Sequence, residues 1–330
     1  MVIEGGYLRD ILAQPAALAD TLAGLDRAAV RDAVARVRDE RFARVVLTGM
    51  GGSYWALYPL WLRLLELGWN AVLVETSELI YVVPGLLDTR TLLIVCSQSG
   101  RSAEIVRLLD LKQAECFTLA VTNTPDSPLA RRADAVVLTR AGEEYTVSSK
   151  TYVTALMALA WVGDALEGVD EGESRDALAR AGPAVAEYLA DWRGQVAGAE
   201  AELAGVRDVF VLGRGPSLAA AGTAGLIIKE STHLHGEGMS AAAFRHGPWE
   251  MIHPALYALV LGADERAERL VSDIIATGGR AAQFRGAGVP APVRPIVEIL
   301  PVEMLTLALA SLGGREAGKF ERATKVTTTE

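Results

Sequence analysis

Six polar residues, Ser97-Gln98-Ser99-Gly100-Arg101-Ser102, follow directly on the apolar run from Thr91 to Cys96. Three hydroxyls, an amide, a guanidinium and a glycine stand where a strand ends and a helical pattern opens at Ser102. That inventory suits a tetrahedral anion. Unpaired backbone N–H groups and the positive end of the helix dipole face it, hydroxyls and amide donate to it, and the glycine permits close approach. An ordinary strand-to-helix turn with a serine cap would use the same residue types.

Other stretches carry chemistry of their own. Thr48 to Ser53, "TGMGGS", lacks the third glycine of a dinucleotide fingerprint, because that position is Tyr54. Glu75 is a poor match for a ribose-binding acid, so the glycines read as room for a ligand beside Gly52 and Ser53. Thr146, Ser148 and Ser149 precede a helical segment, where one of them is expected to cap it and the others to meet sugar hydroxyls. Glu230 lies on an apolar helical run and is a general base if buried, and His246, before Gly247-Pro248, is presented from a loop. The pair His233 and His235 has no companion ligands, so no metal is expected. Lys325 sits in the tail "KVTTTE", either as a solvated lysine on a frayed end or as an amine whose burial makes it a nucleophile toward carbonyls.

Apolar runs at 44–49, 70–77, 91–97, 116–123 and 134–140 read as strands, with helical patterns between them. Continuous Val/Ile/Leu runs separated by helices predict a parallel, doubly wound α/β sheet, flavodoxin-like, flanked by helices. The design then repeats. "RVVLTGMGGSYWA" from Arg44 resembles "DVFVLGRGPSLAA" from Asp208, an offset of 164, and the same offset carries the serine loop onto Leu261, Gly262, Ala263 and Asp264. The second copy keeps the strand and the helix start but loses the serines. The chain is read as a leading arm and first domain over 1–170, a connecting helical segment over 171–195, and a second domain over 196–330 whose tail returns to the site.

The 330 residues are 51% hydrophobic with a net charge of -9, enough for two cores and without the basic patch that nucleic acid or anionic lipid would need. The start has no signal-peptide pattern, and no apolar stretch is read as approaching the length of a membrane helix. Cys96 and Cys116 read as small buried hydrophobes in a reducing compartment, giving a cytoplasmic expectation.

Taken together, "GMGGSY", "SQSGRS", "EYTVSSKTYVTAL", "KESTHLHGEGMSAAAFRHGP" and "KVTTTE" resemble, in order and spacing, the sugar isomerase (SIS) family. The likeness is greatest to the two-SIS isomerase domain of glucosamine-6-phosphate synthase and covers essentially the whole chain. It implies an enzyme of two tandem SIS domains, a homodimer without cofactor, acting on an open-chain sugar phosphate. Ser97, Gln98, Ser99 and Ser102 would hold the phosphate, and Ser53, Thr146 and Ser148 the sugar. Glu230 would move a proton between C1 and C2. His246, from the neighbouring subunit, would assist ring opening, and Lys325 would form a Schiff base.

The resemblance implies aldose-ketose isomerisation of the glucosamine-6-phosphate deaminase/isomerase type. A deglycase of fructosamine 6-phosphates, an isomerase of a 6-sulfo sugar and a non-catalytic sugar-phosphate sensor are the alternatives. Three departures bear on the choice. No glutaminase segment is present, Ile227 replaces a second lysine one turn before Glu230, and Arg101 replaces an acid. Glu250, after Trp249, matches the fructoselysine-6-phosphate deglycase branch.

Overall fold

The computed structural model describes residues 2–112, 116–286 and 289–327. Among the described residues nine strands form two sheets. The first contains β1 (Arg44–Gly49), β2 (Ala71–Glu75), β3 (Thr91–Cys96), β4 (Phe117–Thr122) and β5 (Ala135–Leu138), all parallel, in the order β2-β1-β3-β4-β5. The second contains β6 (Asp208–Gly213), β7 (His235–Ser240), β8 (Leu256–Leu261) and β9 (Arg280–Phe284), parallel in the order β7-β6-β8-β9. Every residue of β3, β4 and β8 is buried, which is why these segments are apolar throughout and do not alternate.

The repeat holds at the level of strands. Adding 164 to the ends of β1 gives the ends of β6, and adding it to Ala71 of β2 gives His235, the first residue of β7. In both sheets the chain leaves the founding strand first to one side and then to the other. A crevice at the carboxyl ends of β1 and β3, and of β6 and β8, is the geometric consequence. Helix Gly52–Glu66 packs on β1 and β2, helix Leu218–Thr232 on β6 and β7, and helix Glu265–Ala276 on β8 and β9. Between β5 and β6 the chain forms the long helix Lys150–Glu167 and then three shorter ones, Glu171–Leu178, Ala181–Leu189 and Trp192–Leu203.

Two compact units contain these sheets. The β1–β5 unit comprises Ala16–Glu143, Lys150–Ala179 and the tail from Ala323 onward. The β6–β9 unit comprises the leading residues to Pro15, Glu144–Ser149 and Arg180–Arg322.

One expectation is corrected. Arg294–Leu312 is a helical stretch of 19 residues with hydropathy 1.7, which meets the length and composition of a membrane span. The sequence reading weighed only the shorter run Thr151 to Gly163. Most of it is buried inside the fold, and Leu300–Leu312 packs on Leu218–Thr232, so it is a core helix. Both cysteines are free and buried, as the sequence predicts.

Candidate functional site

In the β1–β5 unit, the loop after β3 is held from several sides. The Gln98 carbonyl accepts from Asn123 N (3.0 Å) and from the hydroxyls of Thr122 and Thr124 (both 3.3 Å). Gly100 has a φ of +58°, and a Cβ there would lie 2.3 Å from Ser127 Oγ, so only glycine fits this turn. Part of the row of backbone amides is taken up by the loop itself and by the tail. Gly100 N donates to Ser97 Oγ (3.1 Å), Arg101 N to Ser99 Oγ (3.2 Å), and Ala103 N to Thr327 O (3.1 Å). Serine hydroxyls in such turns accept from amides two or three residues on. Each such hydroxyl keeps its own hydrogen to donate, beside the Ser99 and Ser102 N–H groups, which make no hydrogen bond among the described residues.

Ser102 is the N-cap of helix Ala103–Leu111 but makes no side-chain cap bond. The Gln98 side-chain amide likewise makes no hydrogen bond among the described residues. Both remain open to a ligand. Arg101 is exposed, and its guanidinium reaches only the Asp126 carbonyl, at 3.4 Å.

The loop after β1 meets the serine loop through Cys96. Burial pushes the Cys96 thiol up to about 12, and the Ser53 hydroxyl hydrogen-bonded to it lowers it in part. Gly49 permits this approach, since a Cβ there would lie 2.9 Å from the Cys96 carbonyl. Gly52 opens the helix that carries Ser53. The tail completes the cluster. Thr327 O is bound to the first residue of helix Ala103–Leu111, and Lys325, half-buried, is two residues away along the chain.

In the β6–β9 unit a second cluster forms around the end of helix Leu218–Thr232. The Thr146 hydroxyl donates to Gly318 O (2.5 Å), and Gly318 N donates to Ser231 O (3.3 Å). Ser149 N is taken by Glu144 Oε1 at 3.0 Å, and Tyr145 N by Asp10 Oδ2 at 2.6 Å. These bonds set the loop carrying Thr146 and half-buried Ser148 beside the helix end carrying Glu230. Glu230 itself is exposed, as is neighbouring Lys229, because it lies in the last turn of the helix away from the sheet.

His246 is exposed between two short 3-10 turns, Ala243–Arg245 and Pro248–Met251, braced by the edge-to-face rings of Phe244 and Trp249 (5.9 Å). Glu250 is exposed on the second turn. Among the described residues neither His246 nor Glu250 makes a side-chain hydrogen bond or ion pair with Glu230. His235 and His253 lie at 3.9 and 3.1 Å from Asp208, and His233 at 3.9 Å from Glu321.

Sequence reasoning missed a buried polar group in this unit. Gln14 Nε2 donates to both carboxylate oxygens of fully buried Glu303 (2.8 and 2.7 Å), and the Tyr7 hydroxyl pairs with Thr306 (3.2 Å). Burial pushes the Glu303 carboxyl up to about 8. The Tyr7 phenol is held well above its usual value, first by burial, then by Glu303, and in smaller part by the charge of Glu230. A lone glutamate in an apolar helix was the signal, the same one that drew attention to Glu230.

Comparison with known proteins adds the following. Residues 38–162 match the SIS domain model. Over 358 residues the chain is 28% identical to the glutamine–fructose-6-phosphate aminotransferase (isomerizing) of Pyrococcus horikoshii, covering all of this chain and 59% of that protein. The chain thus spans about three fifths of this relative. The C-terminal domain of the glucosamine-fructose-6-phosphate aminotransferase of Francisella tularensis has the same fold, with a TM-score of 0.83 at 20% identity over 96% of this chain and 98% of that one. So does the glucosamine-6-phosphate deaminase of Thermotoga maritima, with a TM-score of 0.80 at 17% identity over 98% and 100%.

Proposed function

We propose that this chain, which carries a SIS domain and is homologous to the isomerase domain of glutamine–fructose-6-phosphate aminotransferases, interconverts an aldose and a ketose that bear a terminal phosphate. The observation that supports this most is the Ala103 N to Thr327 O bond, which ties the segment bearing Lys325 to the serine loop within one unit. An amine near an anion cradle suits a substrate with a carbonyl at one end and a phosphate at the other.

In this reading the hydroxyls of Ser97, Ser99 and Ser102 and the Gln98 amide hold the phosphate, and Ser53, Thr146 and Ser148 hold the sugar. Glu230 takes the C2 proton of the open-chain aldose and returns it to C1, while the hydroxyl proton moves between the two oxygens. No oxidant is needed, since the enediol carries the electron pair from C2 to C1. Lys325 condenses with the carbonyl, releasing water, or stabilises the enediolate as an ammonium ion. His246, supplied by the partner of a homodimer, protonates the ring oxygen during opening. Positioned proton transfer of this kind contributes roughly 10²- to 10⁴-fold.

The deciding assay is a panel of glucose 6-phosphate, fructose 6-phosphate, glucosamine 6-phosphate, a fructosamine 6-phosphate and 6-sulfoglucose, read for both ketose formation and ammonia release. Ketose without ammonia from a 6-phosphate supports the isomerase. Ammonia from glucosamine 6-phosphate replaces it with a deaminase, free amine from the fructosamine with a deglycase, and turnover of the sulfo sugar alone with a sulfonate substrate. No turnover of any member leaves the sensor alternative in its place.

A further inference from the structure

The 164-residue offset relates the strand ends of the two sheets as well as the strands. In the β6–β9 unit, a cavity of about 340 Å³ opens at the carboxyl ends of β6 and β8, lined among others by Arg214, Ser217, Leu261, Gly262, Asp264 and Arg294. Its volume is in the range of small-molecule sites. Subtracting 164 places Ser217 on Ser53, Leu261 to Asp264 on Ser97 to Gly100, and Arg214 on Met50. The crevice that carries the serine loop in one sheet is therefore kept open in the other, with different chemistry on its walls.

The changes have a direction. The loop hydroxyls are gone, and two guanidinium groups have been added. Neither Arg214 nor Arg294 makes a hydrogen bond or ion pair among the described residues, and both are exposed. Asp264, the one acid lining the cavity, is already engaged, its Oδ1 accepting from Ala267 N (2.9 Å) to cap helix Glu265–Ala276. Ser217 is buried, and its hydroxyl donates to Oε1 of fully buried Glu298 at 2.9 Å. The other carboxyl oxygen, Glu298 Oε2, is buried without a partner. Burial raises the pKa of this carboxyl, while the Ser217 hydroxyl and the Arg294 charge lower it in part. Arg294 also feels the Glu298 carboxyl, so the cavity wall sets two guanidinium groups beside one capped aspartate, in a protein whose net charge is -9.

We propose that this cavity is a second ligand site, which binds a small metabolite through an oxyanion group, a phosphate ester or a carboxylate, gripped by Arg214 and Arg294. Planar guanidinium forks match both groups in bidentate fashion. Ser217, anchored from behind by Glu298, forms the floor. The site binds without turnover, because its serine is committed to Glu298 and the loop lacks the hydroxyls of its counterpart. The proposal stands apart from the reading of the serine loop and can fail or hold without it.

Isothermal titration of the full chain tests it, with inorganic phosphate and with citrate, on wild type, the double variant R214Q/R294Q and the double variant S97A/S99A. Both arginines are on the surface, and circular dichroism checks that each variant is folded. Wild type is expected to show two classes of anion site, with R214Q/R294Q weakening one class by about tenfold or more while sugar turnover is unchanged. S97A/S99A is expected to weaken the other class. Loss restricted to phosphate identifies a phosphate ester as ligand, and loss restricted to citrate a carboxylate. Anion binding by R214Q/R294Q that matches wild type, or abolition of all binding by S97A/S99A, overturns the second site.

Discussion

At the residue scale, the serines of the loop after β3 each have two tasks. Ser97 and Ser99 accept the amides of Gly100 and Arg101, which fixes the loop, and their hydrogens remain to be donated. S97A therefore loses one donor to the anion and leaves a buried amide without its partner. We expect KM to rise about tenfold and the melting temperature to fall slightly, as read from steady-state kinetics and thermal melts. For Glu230→Gln, kcat is expected to fall by about 10²- to 10⁴-fold with KM little changed, and full turnover on the true substrate would remove Glu230 from its assigned role. Glu303 makes a different prediction. Its folded pKa, raised from 4.5 to about 8 chiefly by burial, means that the native protein keeps a proton which the unfolded chain releases. The protonated group's contribution is complete below about pH 4.5 and is lost as pH rises to about 8, so stability falls across that window. Urea midpoints measured from pH 5 to 8.5 should decline with pH in wild type and decline less in Glu303→Gln.

At the scale of elements, one backbone bond joins the tail to helix Ala103–Leu111. Ala103 is the first helical residue, where proline is well tolerated because its missing N–H has no helical partner. Ala103→Pro removes only the donor to Thr327 O. The melting temperature should stay within about 2 °C of wild type, since no helical bond is lost. Turnover should fall at least several-fold, because the segment carrying Lys325 is no longer held. Unchanged turnover would show that this anchor does not position Lys325. The strands were readable because burial on both faces leaves a continuous apolar run, and β1 spans the residues its sequence indicates. The stretch Arg294–Leu312 was less so. A core helix and a membrane span share length and composition, and only burial against Leu218–Thr232 tells them apart.

For the whole molecule, the exposed setting of His246 makes a prediction about assembly. If each site takes Lys325 from one subunit and His246 from its partner, a heterodimer of H246A and K325A chains holds one intact site and one doubly impaired site. Mixing the two inactive variants under conditions that exchange subunits should then restore about a quarter of wild-type activity, from half the dimers each with one working site of two. Absence of recovery, with exchange verified by mass, would place both groups in one subunit.

Much of this protein follows from sequence alone. Parallel strands buried on both faces declare themselves by apolar runs, and the duplication by an offset that carries Arg44 to Asp208 and Ala71 to His235. Residue types also named the serine loop, because hydroxyls and glycine at a strand end have few purposes. What the hydroxyls do there was decided by tertiary structure. Whether an amide is free or taken depends on where a chain end more than two hundred residues away comes to rest, as Thr327 does on Ala103. The same holds for Thr146, whose hydroxyl bonds to Gly318, more than a hundred and fifty residues on. It holds again for Glu303, whose proton affinity is set by neighbours distant in sequence and by the exclusion of water. Local patterns determine elements, while the partners of polar groups are chosen only when distant segments are packed together.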